Sequence, residues 1–241
     1  MNHTIGDAVT APAAPGWAQA LRRFNHWCMF DIGGGPRPLK LAWIINFQKG
    51  MSFPFFALLM AFYADKTPWA TSAAAWVYLA LHGSYGLMWL LKDLAFPDPN
   101  WQGRCTLPSA LFGAIGLAGY WAIGWTLISG ISSPHYPLPE PVWFALCITL
   151  CVTGTGIMLA ADAQKYFTLK LQRGLISTGV FRHVRHPNYL GEMMIYGSFA
   201  LLAWHWLALI VLGYFWGVLF STNIAMKEAS LARHAGWAAY K

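Results

Sequence analysis

Long apolar windows separated by short polar stretches constrain this chain more than any other feature. A membrane-spanning helix needs about 20 predominantly apolar residues, and four windows reach that length: 39–63, 69–91, 107–131 and 141–160. Two shorter windows, 189–204 and 206–222, flank His205 and predict a tight helical hairpin. We therefore predict an all-α integral membrane protein with six transmembrane helices and cytoplasmic cofactor-binding loops.

The composition excludes soluble enzyme folds. Hydrophobic residues make up 57% of the 241 residues and charged residues only 10%, against about 25% charged in ordinary soluble domains. The four cysteines show neither a disulfide framework nor the Cys/His spacing of a metal site. We expect no bound metal.

The N-terminal part differs from the six windows. Residues 17–31 place aromatic and aliphatic side chains at helical spacing opposite Arg22, Arg23 and Asn25, a pattern typical of an interfacial helix. A seventh crossing at this segment is the alternative. The first forty residues lack a signal-peptide pattern, so we expect insertion without cleavage.

The chain is predicted to form one folded domain with three regions. Residues 1–38 form an N-terminal interfacial segment, residues 39–160 a four-helix membrane region on the substrate side, and residues 161–241 a C-terminal cofactor-binding region. We find no internal repeat that would indicate a transporter-like duplication.

The positions of Lys and Arg predict the orientation. In the six-span arrangement every Lys and Arg except Lys49, within the first span, and Lys66 falls on one side of the membrane. Cytoplasmic loops carry the excess of these residues, so both termini are expected in the cytoplasm. This bias accounts for most of the net charge of +7, and no nucleic-acid motif is present.

The polar segment 161–192 is the candidate ligand-binding region. It contains five Lys or Arg residues, two His, two carboxylates and an Asn. On a helix, Lys165, Lys170 and Arg173 would project to roughly one side, an arrangement that suits phosphate groups. The alternative is that these charges only face lipid headgroups.

Pro187 predicts a helix start. It places Asn188 and Tyr189 in the first turn, where backbone N–H groups also favour an anionic ligand. Glu192 lies one turn beyond Asn188 inside an apolar window, and a carboxylate at that depth indicates a functional site. The alternative for Glu192 is an ion pair with Arg182 or Arg185.

The C-terminal tail adds further polar groups. Lys227, Glu228, Arg233 and Tyr240 lie in KEASLARHAGWAAYK, residues 227–241. This tail could close over the same pocket, or it could be a solvated amphipathic helix.

These motifs together resemble a known superfamily. RHPNYLGE (185–192), preceded by ADAQK (161–165) and TGVFR (178–182) and followed by the tail, is similar to the C-terminal half of the steroid 5-alpha-reductase-like membrane enzymes, including their bacterial branch. HGSYGLMWLLKDLAFPD (82–98) resembles the helix that supplies an aromatic residue to the substrate site. The RHPNY core is shared with sterol reductases and, more loosely, with isoprenylcysteine carboxyl methyltransferases.

The resemblance implies an NADPH site formed by the last spans and the cytoplasmic loops. Asn188, Tyr189 and Glu192 would contact the nicotinamide end. The phosphates and adenosine would be bound by Lys165, Lys170, Arg173, Arg182, Arg185 and Arg233, and Asp162, His186 and Tyr240 complete the expected cofactor-binding set. The basic cluster that the family carries after the last span is thinner here, with Asn223, Met226 and Lys227 in its place.

Enone reduction also needs a donor that stabilises the charge growing on the carbonyl oxygen. Candidates are the Tyr85 phenol and the Lys49 ammonium, with His82 placed to orient Tyr85 or to act itself, and Glu192 as a further catalytic candidate. Where the steroid reductases carry a Gln-Glu pair, this chain has Gln48-Lys49. The alternatives are structural: a core anchor for Tyr85, a satisfied polar group for His82, and snorkelling or pairing with Glu192 for Lys49.

The sequence therefore favours an NADPH-dependent reductase of an activated C=C bond in a steroid-like or other lipophilic substrate, of the 3-oxo-5-alpha-steroid 4-dehydrogenase type. The rival enzyme is an S-adenosylmethionine-dependent membrane methyltransferase, and the third class is a non-enzymatic lipid-binding or assembly factor. We expect a multi-pass protein, in a bacterial inner membrane by the resemblance, whose substrate enters from the bilayer. Its expected partners are that substrate and membrane lipid, without nucleic acid or an obligate protein partner.

Overall fold

The computed structural model describes residues 13–241, so the first twelve residues of the predicted N-terminal segment lie outside the described part. The chain is helical over about 76% of the described residues and has almost no sheet. Its helices are α1 (Gly16–Phe30), α2 (Leu41–Tyr63), α3 (Ala73–Ala95), α4 (Leu107–Ile128), α5 (Glu140–Leu171), α6 (Pro187–Ala203), α7 (Trp206–Tyr214), α8 (Ser221–Leu231) and α9 (Trp237–Tyr240). Two short strands, β1 (Leu39–Lys40) and β2 (Arg104–Cys105), pair antiparallel and tie the start of α2 to the start of α4.

Local sequence sets several helix ends. The Ser72 hydroxyl accepts a hydrogen bond from the Ala75 N–H at 3.2 Å and caps α3. Trp204 adopts a left-handed backbone conformation that ends α6, and the His205 Nδ1 then accepts the Leu207 N–H at 3.2 Å to start α7. The helical hairpin predicted at His205 is confirmed.

Three helices of the described chain are long and apolar enough to cross a membrane: Leu107–Ile128, Glu140–Leu171 and the continuous helix Trp206–Leu231. The other three predicted spans coincide with α2, α3 and α6, and the count of six stays a prediction. Helices α2 and α3 have 23 residues each but carry polar side chains in their interiors, while α6 has only 17 residues.

Two helices extend further than the apolar windows. Helix α5 continues to Leu171, eleven residues past the predicted end of its span, so the whole ADAQK motif (161–165) is helical. A π-helical stretch, Phe215–Phe220, joins α7 to α8 without a break. The last helix therefore continues past its apolar window of 206–222 to Leu231, and Lys227 and Glu228 belong to it.

Glycines permit the closest helix contacts. A Cβ atom on Gly191 of α6 would lie 2.5 Å from the carbonyl oxygen of Gly154 on α5, and one on Gly86 of α3 would clash with the carbonyl oxygen of Lys49 on α2. Only glycine tolerates such approaches. Helix α1, at 15 residues shorter than a membrane crossing needs, packs against α4 and α8.

Candidate functional site

A partly open cavity of about 1860 Å³ extends from the exposed Arg22 and Arg23 of α1 to the buried Lys49 of α2. Small-molecule sites usually have volumes of about 300–1,000 Å³, so this cavity has room for more than one ligand. Its walls come from α1 to α6, from the continuous α7–α8 helix, and from the loop between α3 and α4.

A polar stripe on α6 forms one wall. Asn188, Glu192 and Tyr196 are spaced four residues apart, so they share one face of the helix, and all three line the cavity. Pro187 starts the helix immediately before them. The stripe therefore runs from the half-buried Asn188 at the N-terminus of α6 to the buried Tyr196.

The inner end of the cavity contains a hydrogen-bonded chain of three side chains. The Lys49 Nζ donates to the Tyr196 hydroxyl, and the Tyr196 and Tyr85 hydroxyl oxygens lie 3.2 Å apart. Lys49 is only 2% exposed. This chain links α2, α3 and α6 at a single point.

Four aromatic rings surround the Lys49 Nζ. It lies 4.8, 5.5, 5.2 and 4.9 Å from the ring centroids of Tyr85, Trp89, Tyr120 and Tyr196, within the roughly 6 Å at which cation–π attraction operates. Trp89, Tyr120 and Tyr196 also line the cavity. The inner end is thus apolar apart from a few directional donors.

A buried ion pair lies between the inner end and the loops. Lys92 Nζ of α3 is 2.7 Å from the Asp162 carboxylate of α5, with side chains 5% and 10% exposed. The Lys92 ammonium also lies 4.2 Å from the centroid of the Trp89 ring. Because a buried charge is costly without a partner, this pair fixes α3 against α5.

A second, more exposed pair joins the loop after α3 to α5. Lys165 Nζ lies 3.4 Å from the Asp98 carboxylate, which also accepts the Asn100 backbone N–H at 2.9 Å. Burial of Asp98 opposes its ionisation, but the Lys165 ammonium and the Asn100 N–H outweigh that effect and hold the pKa of the Asp98 carboxyl below its usual range.

The open end of the cavity is basic. Its lining includes Arg22, Arg23, Arg37, Arg104, Lys227 and Arg233. Arg37 pairs with Asp31, and the Lys227 ammonium lies 4.5 Å from the centroid of the Tyr189 ring. Guanidinium groups match phosphate geometry, so this end can bind an anionic ligand.

The structure brings together only part of the site expected from the sequence. The residues of that set that line the cavity are Lys49, Asp162, Asn188, Tyr189, Glu192 and Arg233. Tyr85 lies directly behind Tyr196. Lys165 is held by Asp98 beside the cavity.

Of the six Lys and Arg residues expected to bind the phosphates and adenosine, only Arg233 lines the cavity. Lys170, Arg173 and Arg182 are exposed and are absent from its lining. Helix α5 ends at Leu171, so Arg173 cannot share a helical face with Lys165 and Lys170. The expectation of a three-residue cluster on one helix is wrong.

Arg185 and His186 bind the last helix instead. The Arg185 Nη1 and the His186 Nε2 each lie 2.7 Å from a carboxylate oxygen of Glu228. The alternative that Glu192 pairs with Arg182 or Arg185 is therefore wrong. Burial lowers the pKa of His186 below its usual range, and Glu228 partly offsets that effect.

Tyr240 also contacts this loop rather than the cavity. Its hydroxyl donates to the Phe181 carbonyl oxygen at 2.6 Å, and Trp237 lies 5.8 Å from the Arg185 guanidinium. Of the tail, Lys227, Ala229, Ser230 and Arg233 line the cavity.

His82 does not orient Tyr85. Its Nδ1 lies 3.1 Å from the Tyr78 hydroxyl oxygen, and its ring stacks on Phe199 with centroids 4.3 Å apart. The side chain is fully buried and outside the cavity lining. These contacts fit the alternative of a polar group packed between helices better. The hydrogen bond of His82 is made by Nδ1, and its Nε2 has no partner in the described part of the chain.

Sequence reasoning missed several lining residues. Tyr196 continues the four-residue spacing from Asn188 and Glu192, and Lys92 lies seven residues after Tyr85 on the same face of α3, so both could have been found by extending the helical periodicity. No helical periodicity connects Tyr120 with these residues, because it lies on α4, which is distant in sequence from α6.

Comparisons with known proteins support a family assignment. A family described as "Protein of unknown function (DUF1295)" matches residues 117–241. The Steroid 5-alpha-reductase DET2 of Solanum lycopersicum is 34% identical over 79 residues, which cover 31% of this chain and 31% of the relative. The chain thus matches about a third of that relative's length. No solved structure matches the chain.

Proposed function

The chain belongs to the DUF1295 family, which is steroid 5-alpha-reductase-like, and from that premise we propose that it is an NADPH-dependent membrane reductase of an activated C=C bond in a lipophilic substrate. One observation carries the proposal. The cavity combines an aromatic inner end, where Lys49 and Tyr196 provide hydrogen-bond donors, with a basic open end.

The donor set of the cavity fits NADPH. The volume of about 1860 Å³ accommodates a dinucleotide together with a second molecule. Arg22, Arg23, Arg104, Lys227 and Arg233 would hold the phosphates at the open end, and the stripe from Asn188 to Glu192 would hold the nicotinamide amide. NADPH bound there would supply a hydride.

The side chains at the inner end would stabilise the reaction. When a hydride adds to the β carbon of an enone, negative charge grows on the carbonyl oxygen, and preorganised donors lower the energy of that state. The Lys49 ammonium and the Tyr196 hydroxyl would donate to this oxygen, with Tyr85 orienting Tyr196 through their shared hydrogen bond. The surrounding aromatic rings would exclude water.

The walls of the cavity favour a substrate from the bilayer. Phe112 and Ile115 of α4 line the cavity and are 38% and 65% exposed. A lipophilic molecule would enter beside these two side chains, between α4 and the π-helical stretch. This supports a steroid-like or other lipid substrate that carries an enone.

The proposal includes a topology. Helices α2 to α6 and the α7–α8 helix would cross the membrane six times, with α1 at the interface and both termini in the cytoplasm. The loops that carry most Lys and Arg then face the side where NADPH is available. Reporter fusions at Lys66 and at the C-terminus test this arrangement, since opposite sides are expected for the two positions.

Ligand-induced stabilisation tests the cofactor class. A ligand that binds only the native state raises the unfolding temperature in proportion to the logarithm of its concentration. We expect NADPH to stabilise the detergent-purified protein more strongly than NADH, and S-adenosylmethionine to have no effect. Stabilisation by S-adenosylmethionine alone would instead support the methyltransferase, which the family match does not favour.

A further inference from the structure

Lys49 differs from every other lysine that the structure describes. It is 2% exposed, it lines the inner end of the cavity, and it has no carboxylate within ion-pair distance among residues 13–241. Lys92 is similarly buried in the same cavity, but the Asp162 carboxylate lies 2.7 Å from its ammonium. Among the lysines that the structure describes, Lys49 alone is buried and has no carboxylate within ion-pair distance.

The surroundings of Lys49 suit an amine that reacts covalently. Lysines that form Schiff bases are activated in apolar pockets that desolvate the amine, and four aromatic rings form such a pocket here. The Tyr196 hydroxyl contacts the nitrogen directly, and Tyr85 extends the hydrogen-bonded chain. A hydroxyl at that position can pass protons to and from the reacting atoms.

We propose that Lys49 is a catalytic nucleophile that forms an iminium with the carbonyl carbon of an α,β-unsaturated aldehyde or ketone. The inference rests on the proposed reduction but changes its activation step, because the Lys49 nitrogen bonds to the carbonyl carbon instead of donating a hydrogen bond to the carbonyl oxygen. Three observations on Lys49 support the inference. Its amine is buried without a carboxylate partner, it is surrounded by aromatic rings and contacted by the Tyr196 hydroxyl, and it lines the cavity proposed to bind a lipophilic carbonyl compound.

The iminium forms on Lys49, accepts a hydride and is then hydrolysed. The uncharged amine attacks the carbonyl carbon and forms a C–N bond, and after proton transfers through Tyr196 the oxygen leaves as water. The β carbon of the resulting iminium accepts the hydride of the proposed reaction, and the electron pair of the C=C bond moves toward nitrogen to give an enamine. Protonation of the α carbon and hydrolysis by water then release the saturated carbonyl compound and the free amine.

This route accounts for the replacement of a carboxylic acid by an amine. A hydrogen-bond donor only polarises the carbonyl group, whereas an iminium carries a full positive charge conjugated with the C=C bond. The aromatic cage stabilises that cation through its ring faces.

Reductive trapping tests the inference on the full-length protein. The purified protein is incubated with hexadecanal, a saturated aldehyde that cannot undergo conjugate addition, together with cyanoborohydride, and peptides are mapped by mass spectrometry. We expect a hexadecyl adduct on Lys49 and none on Lys92. A 3-oxo-4-ene steroid should compete with the labelling.

The variant Lys49→Arg keeps the positive charge but cannot form an iminium. We expect it to lose the adduct and the reduction of enones while keeping its stabilisation by NADPH. An adduct on Lys92 or Lys227 in place of Lys49, or undiminished enone reduction by Lys49→Arg, would overturn the inference and leave the reductase intact. Trapping on Lys49 in a protein that neither binds nor oxidises NADPH would support the nucleophile and reject the proposed function.

Discussion

Two buried lysines in the cavity wall differ in the side chains that they contact. Lys49 and Lys92 are both lysines in the cavity wall, yet one contacts tyrosine hydroxyls and aromatic rings and the other a carboxylate. The difference in partners assigns them different tasks. Lys92 holds α3 against α5, whereas Lys49 has no carboxylate partner in the described part of the chain and is the residue that we propose reacts with the substrate.

Removal of the Asp162 charge should destabilise the protein strongly. Asp162→Asn leaves the Lys92 ammonium buried without a counter-ion, and breaking a buried pair in this way costs about 3–5 kcal/mol. The matched control is Asp98→Asn, which breaks a pair whose Lys165 side chain is 30% exposed and should cost about 1 kcal/mol or less. Equal unfolding temperatures for the two variants would contradict a structural role for the Lys92–Asp162 pair.

His186 should make stability depend on pH. Burial lowers its pKa in the folded protein, whereas an unfolded histidine titrates near pH 6.5. As the pH falls, the unfolded chain therefore takes up the proton first, so the contribution of His186 is fully present above about pH 6.5 and is lost as the pH falls through the folded pKa.

Thermal unfolding between pH 7.5 and 5 measures this contribution. We expect His186→Gln to show a shallower loss of stability toward acid than the unaltered protein. His183→Gln, at an exposed position of the same loop, is the control and should keep the original slope. An unchanged slope in His186→Gln would reject the assignment.

For single residues, the sequence predicted which polar side chains line the cavity better than it predicted their contacts. A lysine and a glutamate inside apolar windows are conspicuous, and both Lys49 and Glu192 line the cavity. Their partners depend on tertiary packing. Tyr196 lies 147 residues from Lys49, and no local pattern predicts that hydrogen bond.

Helices α5 and α6 show how elements position the site. Their backbones approach closely at Gly154 and Gly191, and this contact presents the stripe of Asn188, Glu192 and Tyr196 to the cavity. A Cβ on Gly154 would lie 2.6 Å from the Gly191 carbonyl oxygen. The stripe thus depends on two glycines that do not themselves touch a ligand.

Gly154→Ala should separate α5 from α6. Forcing a methyl group into such a contact costs about 1–3 kcal/mol, and we expect reduced NADPH binding as well as a lower unfolding temperature. Gly156→Ala is the matched control two residues along α5, where an added Cβ meets nothing within 4 Å. It should be neutral or slightly stabilising, because alanine favours a helix over glycine. Similar behaviour of the two variants would reject the packing argument.

The α6 stripe should bind the cofactor. Loss of one buried hydrogen-bonding group costs about 1–3 kcal/mol, so Asn188→Ala and Glu192→Ala should each weaken stabilisation by NADPH markedly. Leu190→Ala, on the exposed face of the same helix, serves as the control. An unchanged NADPH response in both stripe variants would count against the proposed site.

Hydropathy located the elements well where apolar side chains face lipid. The predicted windows coincide with α2 to α6 within a few residues at most ends. Hydropathy did not predict where α5 and the last helix end, because both continue into polar sequence. The last turns of α5 are polar although helical, and a π-helical stretch carries the final helix past its apolar window to Leu231.

On the scale of the whole molecule, the fold encloses a cavity that is polar and basic at one end and aromatic at the other. The sequence predicted a helical membrane protein and the region 161–192 as a source of ligand-binding residues. It could not predict that this region divides, with Asn188 and Glu192 facing the cavity and Arg185 and His186 binding Glu228. That division depends on where α8 packs.

Transfer of deuterium from labelled NADPH to an enone tests the central claim most directly. Purified protein is incubated with NADPH deuterated at the nicotinamide C4, a lipophilic enone and detergent, and the product is analysed by mass spectrometry. Our account predicts a saturated carbonyl product with one deuterium at the β carbon, formed only with active protein. Recovery of unreduced enone without deuterium, under conditions where the protein is folded and NADPH is saturating, would contradict it.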